Sequence, residues 1–400
     1  MLLKGLTVLD LSRIVAGPAC TRTLADLGAD VIKIEPPEGD IMRRGVPKVN
    51  GVALGYAQQN AGKRQVSIDL SKEAGRKLVT RLAAMSDILV ENYRPGVTER
   101  LGIDYDAVAA VNEGIIYCSI TGWGQTGPAS VRRAFAPIIH AELGLVDQNA
   151  RERGTDPMPE AVSHVDFATA SQAATGILAA YVHKLRTGQG QYIDVSMAET
   201  MLGFNEFTAV EVNGGFGDAI SPFRPGKAAL VKFPNGDWAQ VPGNPTTWIF
   251  DIAKALDKES ELHALGLYGR EDTQGKDEQM VELLQRWADE YPDIESLELA
   301  MESSKLPLGK VKRVADIPKE PWAIERGAFV QININGAAAS IPRSPFRLSH
   351  GKAGPAFGVY PQGYDNRSVM SSMLGLSDTE IDTLESEGVL CTFSNTGRSS

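Results

Sequence analysis

Cysteine is scarce in this chain: Cys20, Cys118 and Cys391 are the only three in 400 residues, widely spaced and without a CxxC pair. That pattern excludes a disulfide framework and predicts a reduced, cytoplasmic setting. No segment approaches the roughly 20 consecutive apolar residues that a membrane-spanning helix requires. The opening MLLKGLTVLDLSRIV also lacks an apolar stretch ahead of a cleavage site, so neither a membrane anchor nor a secretory leader is expected. The five histidines, His140, His164, His183, His263 and His350, form no HxxxH or HxH cluster with carboxylates, which leaves a metal site unsupported. A GxSxG elbow is missing, and with it the case for a serine hydrolase. Positive charge is in deficit, with 40 basic against 50 acidic side chains and a net charge of −10, which argues against nucleic acid as a partner.

What remains is an ordinary globular composition, 43% hydrophobic and 22% charged. A length of 400 residues exceeds a single core, so two domains are expected. Strand and helix signals alternate over the first part of the chain. Leu6 to Leu11, Ala29 to Glu35, Val66 to Leu70, Asp87 to Glu91, Gly114 to Ile120 and Gln191 to Ser196 read as strands. Between them, Ala19 to Leu27 and the stretch opened by Ser71 read as helices, and a further helix covers Phe167 to Leu185. This alternation predicts an α/β fold with a parallel, Rossmann-like sheet covered on both faces. Its ligands should gather at the carboxyl ends of the strands. The first strand is followed by Ser12-Arg13-Ile14-Val15-Ala16-Gly17-Pro18 and not by GxGxxG, so a nicotinamide or flavin cofactor is not supported.

Beyond about residue 214 the texture changes, with dense Gly and Pro and a turn signal at Pro234-Asn235-Gly236-Asp237. Met197 to Val212 and most of Thr247 to Met301 read as helical, Ala337 to Phe346 as strand and loop, and Asp378 to Leu384 as a last helix. We expect a large domain from residues 1–215 and 335–400, and a smaller α+β domain inserted at 225–330.

The residue best placed for chemistry is Asp166, at the point where a loop gives way to the Ala-rich helix. A carboxylate at or next to the N-cap faces free N–H groups and the positive end of the helix dipole, which keep it ionised and aimed. The same placement describes an ordinary helix cap, because Asp is among the commonest N-cap residues. Ala16-Gly17-Pro18, Lys63-Arg64, and Asn92-Tyr93-Arg94 with Arg100 beyond add close backbone approach, an aromatic ring and positive charge at other strand ends. Together they suit a phosphorylated, partly aromatic ligand.

Read in order, GLTVLDLSRIVAGPACTRTLADLGADVIKIEPPEGD, KRQVSIDLSKEAGRKLVTRLAAMSDILVENYRPGVTERLGIDYDAV, IIYCSITGWGQTGP and TGILAAYVHKLRTGQGQYIDVSMAETML resemble the family III CoA-transferases over most of the chain. Residues 215–335 match only loosely. The resemblance implies an enzyme that moves CoA from an acyl-CoA donor to a free carboxylic acid, with acyl-CoA as substrate and no permanently bound cofactor. It implies that Asp166 is the nucleophile, that Arg100, Lys63, Asn92 and Tyr93 lie in CoA-binding stretches, and that Ala16 and Gly17 line the same pocket. It also implies an interlocked homodimer in which both termini build the large domain. A Gly-rich loop such as Gly214-Gly215-Phe216-Gly217 would close over the intermediates.

Two positions depart from the family pattern. Ala134-Phe135-Ala136-Pro137 stands where the family often has Gly-Tyr-Asp-Pro, removing a hydroxyl and a carboxylate, and Pro36 stands where a relative has an arginine near the nucleotide. The rival readings are an α-methylacyl-CoA racemase, whose histidine would fall at Phe135 with His140 and His164 as the nearest substitutes, and a non-catalytic CoA-binding homologue.

Overall fold

The computed structural model describes residues 1–215 and 228–392. Its described residues divide into two compact units: Met1–Leu143 with Glu160–Asn205 and Glu320–Ser400, and Gly144–Pro159 with Glu206–Lys319. The helix Leu145–Arg153 thus groups with the second unit, where Arg151 pairs with Glu211 of the helix Thr208–Val212. The expected boundary between 330 and 335 would cut a hairpin, because Phe329–Ile334 pairs antiparallel with Ala337–Pro342, and the first unit accordingly begins again at Glu320.

The first unit is built on six parallel strands, β1 (Thr7–Asp10), β2 (Asp30–Glu35), β3 (Lys63–Ser67), β4 (Ile88–Glu91), β5 (Ile116–Thr121) and β6 (Gln191–Ser196). Their spatial order is β3-β2-β1-β4-β5-β6, with every pairing parallel. That is the order of a dinucleotide-binding Rossmann sheet, and the chain reverses its direction of travel between β1 and β4, which opens a crevice at their carboxyl ends.

Alternate residues explain why both faces are covered. Val8, Val31, Ile88, Val90, Ile116 and Cys118 point into one core, and Leu9, Ile32, Ile34, Leu89 and Tyr117 into the other. On the first face lie α1 (Ala16–Leu27) and the 24-residue helix α4 (His164–Thr187); on the second lie α2 (Glu73–Ala84) and the helix Asn366–Leu374. The short helix α3 (Ala136–Glu142) precedes α4 in the chain. α4 buries Ala170, Ala173, Ala174, Ile177 and Ala180, a helical-period stripe of mostly small residues that lets it lie close to α1. Each larger aliphatic side chain buried here contributes roughly 1.5–3 kcal/mol. Both helices run opposite to the strands they pack on, so both start at the carboxyl edge of the sheet.

Several element starts move, among them α1, which begins at Ala16 and not at Ala19. β3 begins at Lys63, three residues before the expected Val66, because Lys63 and Gln65 are polar yet fully buried and break the apolar pattern. α4 begins at His164 and not at Phe167.

The second unit packs a three-stranded antiparallel sheet, Leu230–Lys232, Trp238–Gln240 and Gly309–Lys310, against helices that include Pro245–Ala255 and Asp277–Ala288. Its core centres on Trp287, Leu283 and Ile249. The turn expected at Pro234–Asp237 closes the first hairpin, with Gly236 at φ 89°. Of the Gly-rich loop, Phe216 and Gly217 lie outside the described residues.

Candidate active site

Asp10 ends β1 with its carboxylate wholly buried. Its Oδ2 accepts from Thr21 Oγ1 (2.6 Å) and Lys63 Nζ (3.0 Å), and its Oδ1 from Ser12 N (3.0 Å) and Oγ (2.5 Å). Burial alone would raise this carboxyl, but Lys63, Lys33 and the two hydroxyls outweigh it and hold it down at about 2. Lys33 Nζ in turn donates to Ser12 O at 2.6 Å and pairs with Asp40.

This buried charge cluster shapes the loop after β1. Asp40 Oδ2 accepts the Ile14 N–H at 3.1 Å, holding Ile14 at φ 69°, a conformation that β-branched residues rarely adopt. Asn92, just past β4, grips the neighbouring peptide from both sides: its Oδ1 accepts Arg13 N and its Nδ2 donates to Arg13 O, each at 2.8 Å. The loops after β1 and β4 are thereby tied together across the crevice. Arg13 lies over the Tyr93 ring at 5.3 Å.

The loop delivers the first turn of α1 to Asp166. The carboxylate of Asp166 faces the Ala16 N–H, whose effect lowers its carboxyl, at the electropositive start of a 12-residue helix. Asp166 itself occupies the third position of α4, within the first turn and not at the N-cap; Ser163 is the N-cap residue and its side chain makes no capping bond. Half-buried, Asp166 has its carboxyl raised to about 6 by desolvation, against the lowering effect of the Ala16 N–H. A carboxylate of this kind is still mostly ionised at neutral pH and more basic than an ordinary aspartate, which is what a carboxylate nucleophile needs.

The other expected site residues divide by accessibility. Ala16 meets Asp166 through its backbone. Gly17 is required by the protein's own packing: a Cβ there would lie 2.2 Å from Ser12 Cβ, so the space beside it is already filled. Lys63 departs most from expectation as a CoA contact. Its side chain has no exposure, and its ammonium donates to Asp10, Pro18 O, Thr21 and Asn60 at 2.8–3.0 Å, leaving no donor for a ligand. Asn92 and Tyr93 are partly exposed at the crevice, with the Asn92 amide engaged by Arg13. Arg100, on the short helix Val97–Leu101, is exposed and has no ion-pair partner among the described residues, as is true of Arg94. Pro36 is occupied through its carbonyl, which accepts from Gly39, Ser67 and Gln362. Phe135 is 59% exposed at the start of α3, whereas Ala136 is buried.

Asp40 and Arg13 were not legible as site residues from sequence, and His140 was legible only as a substitute for the racemase histidine. His140 Nε2 accepts the Val165 N–H at 3.2 Å, so its lone pair is engaged. It is therefore not free to serve as the second acid/base group of a racemase. Among the described residues no group of three or more His, Cys, Asp or Glu is arranged to hold a metal ion, and no helix is long and apolar enough to cross a membrane.

Comparison with known proteins identifies the family. Residues 3–366 match the sequence profile of CoA-transferase family III. The chain is 29% identical to a formyl-CoA:oxalate CoA-transferase of Streptomyces coelicolor, over 97% of this chain and 99% of that protein. It is also 29% identical to the human succinyl-CoA:glutarate CoA-transferase, over 97% and 90%. A crystal structure of a CaiB/BaiF family protein from Brucella suis superposes with a TM-score of 0.78 at 27% identity, covering 93% of this chain and 99% of that one. The Mycobacterium tuberculosis protein Rv3272 shares the fold, with a TM-score of 0.76 at 21% identity and coverage of 91% and 98%. With a profile match spanning nearly its full length, this chain belongs to CoA-transferase family III, enzymes that exchange CoA between an acyl-CoA thioester and a carboxylic acid.

Proposed function

We propose that Asp166 carries the exchange as a covalent nucleophile. The observation behind this reading is a half-buried carboxylate, raised to about 6, at the carboxyl edge of a Rossmann sheet where the starts of α1 and α4 meet. A carboxylate oxygen of Asp166 attacks the thioester carbonyl of the donor, the C–S bond breaks, and CoA leaves as a thiolate from a mixed anhydride. The thiolate attacks Asp166 Cγ, releasing the donor acid and leaving an aspartyl-CoA thioester. The acceptor carboxylate then attacks Cγ and expels the thiolate, which takes up the acyl group of the second anhydride and frees Asp166. Thioester energy is kept throughout, so the sequence of steps needs no nucleotide, and charge passes between carboxylate and thiolate with no net proton uptake. The α1 dipole and the Ala16 N–H stabilise the carboxylate each time it is expelled.

Arg100 and Arg94 are assigned to CoA phosphates by their exposure and lack of partners, with Tyr93 and Asn92 along the crevice. Lys63 and Gly17 act on the pocket indirectly, through the loop that they hold. The names of the relatives support small carboxylic acids as acceptors, with oxalate and glutarate as first choices and formyl-CoA and succinyl-CoA as donors. The working unit in this reading is the interlocked homodimer, which sedimentation analysis would detect as twice the chain mass.

The decisive experiment incubates the protein with each donor, quenches with hydroxylamine and maps the adduct by mass spectrometry. A hydroxamate on Asp166, absent from Asp166→Asn, is expected. Turnover by that variant equal to the unsubstituted enzyme would overturn the assignment.

A further inference from the structure

We propose that His140 is a positioning residue for the nucleophile, capping α4 from outside the helix so that the first turn holds Asp166 facing the start of α1. This rests on Asp166 being the nucleophile. Helix starts present backbone N–H groups without intrahelical partners, and a side-chain oxygen of the N-cap residue normally accepts one of them. In α4 the N-cap residue Ser163 does not. The acceptor comes instead from α3, where His140 is 2% exposed and its Nε2 takes the Val165 N–H at 3.2 Å. Val165 is the residue immediately before Asp166, so the bond fixes the His164–Val165 peptide, one link before the residue that bears the nucleophile.

An imidazole can accept at Nε2 only while that nitrogen is unprotonated, which assigns the neutral Nδ1–H tautomer. Its surroundings favour the neutral ring: burial lowers its basicity first, the facing His164 ring at 6.0 Å adds to this, and Glu160 opposes it. His164, by contrast, is exposed and lies 3.8 Å from Glu160. The two histidines are thus unequal, and only His140 touches the helix backbone.

The test compares His140→Leu, which fills the space without an acceptor, with His140→Gln, whose Oε1 can reach where Nε2 was. Single-turnover formation of the hydroxylamine-trapped Asp166 adduct from succinyl-CoA and from formyl-CoA is followed in each variant, together with steady-state kcat and KM. For His140→Leu, adduct formation is expected to slow roughly 10–100-fold, as for a nucleophile displaced by about 1 Å, with KM for the acyl-CoA within about twofold. His140→Gln is expected to recover to within about fivefold of the unsubstituted enzyme. Equal rates for His140→Leu and the unsubstituted enzyme would overturn the inference, as would a folded His140→Gln no faster than His140→Leu. Absence of the adduct from the unsubstituted enzyme would instead reject the nucleophile reading beneath it, a result that the variants alone could not mimic.

Discussion

Lys63 Nζ lies 3.0 Å from Asp10 Oδ2, and neither side chain reaches solvent. The pair closes the base of the crevice and does not line it. Removing one partner would leave an unpaired buried charge, which costs about 3–5 kcal/mol. Lys63→Met is therefore expected to lower the midpoint of denaturant unfolding sharply while leaving KM for acyl-CoA in the folded protein within about twofold. A stable Lys63→Met protein with a strongly raised KM would return Lys63 to the ligand.

In the proposed mechanism the raised carboxyl of Asp166 sets the acid limb of the reaction. Attack needs the ionised form, so kcat/KM is expected to climb about tenfold from pH 5 to pH 7.5 and level off above an apparent value of about 6. A flat profile over this range would remove Asp166 as the group that titrates.

The same shift has a stability consequence of definite sign. The folded carboxyl binds its proton more tightly than the unfolded one, with a value of about 6 against 3.8, so its effect on folding is favourable below the unfolded value and is lost as pH rises through 6. Asp166→Asn removes the partly buried charge and keeps an acceptor for Ala16. It is expected to stabilise the fold at pH 8 by about 1–2 kcal/mol after allowing for solvent screening, with the gain shrinking towards pH 4. Thermal scans at the two pH values measure it, and an Asn variant less stable at pH 8 than at pH 4, relative to the unsubstituted enzyme, would contradict the desolvation argument.

Gly17→Ala probes the loop. The added Cβ would meet Ser12 Cβ at 2.2 Å, and Ser12 cannot retreat without releasing Asp10 Oδ1. Displacing the first turn of α1 moves the Ala16 N–H off Asp166, and a loss of about 100-fold in kcat is expected. Unchanged kcat would show that the loop yields without disturbing the nucleophile.

Arg100→Ala tests the exposed end of the crevice. With no ion-pair partner in the protein to lose, stability should hold, while KM for acyl-CoA rises about tenfold through loss of one charge-assisted contact, worth about 1.4 kcal/mol. A fall in melting temperature with KM unchanged would make Arg100 structural.

How much of this could be read from the residues depends on whether the physics is local. β6 reads at its observed bounds, Gln191–Ser196, because flanking turn signals and β-branched residues are neighbours in sequence. β3 does not, since the case for Lys63 and Gln65 as strand residues lies in Asp10, Thr21, Asn60 and Tyr56, which only the fold brings to them. Asp166 stands out beside its helix, but its place in the third position follows from a cap supplied by His140 on another helix. Gly17 was expected to line the CoA pocket, and the reason the structure gives for its glycine is different, the close approach of Ser12. Spacing carries no information about such long-range partners.

The helix that bears Asp166 leads directly into β6, whose six residues are held to β5 in unbroken register from Ile116–Gln191 to Thr121–Ser196. A slip of one residue there would turn every β6 side chain to the opposite face, so the attacking group is anchored to the scaffold at large. The stretch between β5 and α3, which includes the departure at Phe135, is held by single bonds and not by a ladder, with Gln125 N–H donating to Asp194 and Gly122 O accepting from Ala198 N–H. Exchanging residues of that stretch is therefore expected to leave the reaction centre in place, and the acid preference of such variants measures whether they reach the substrate.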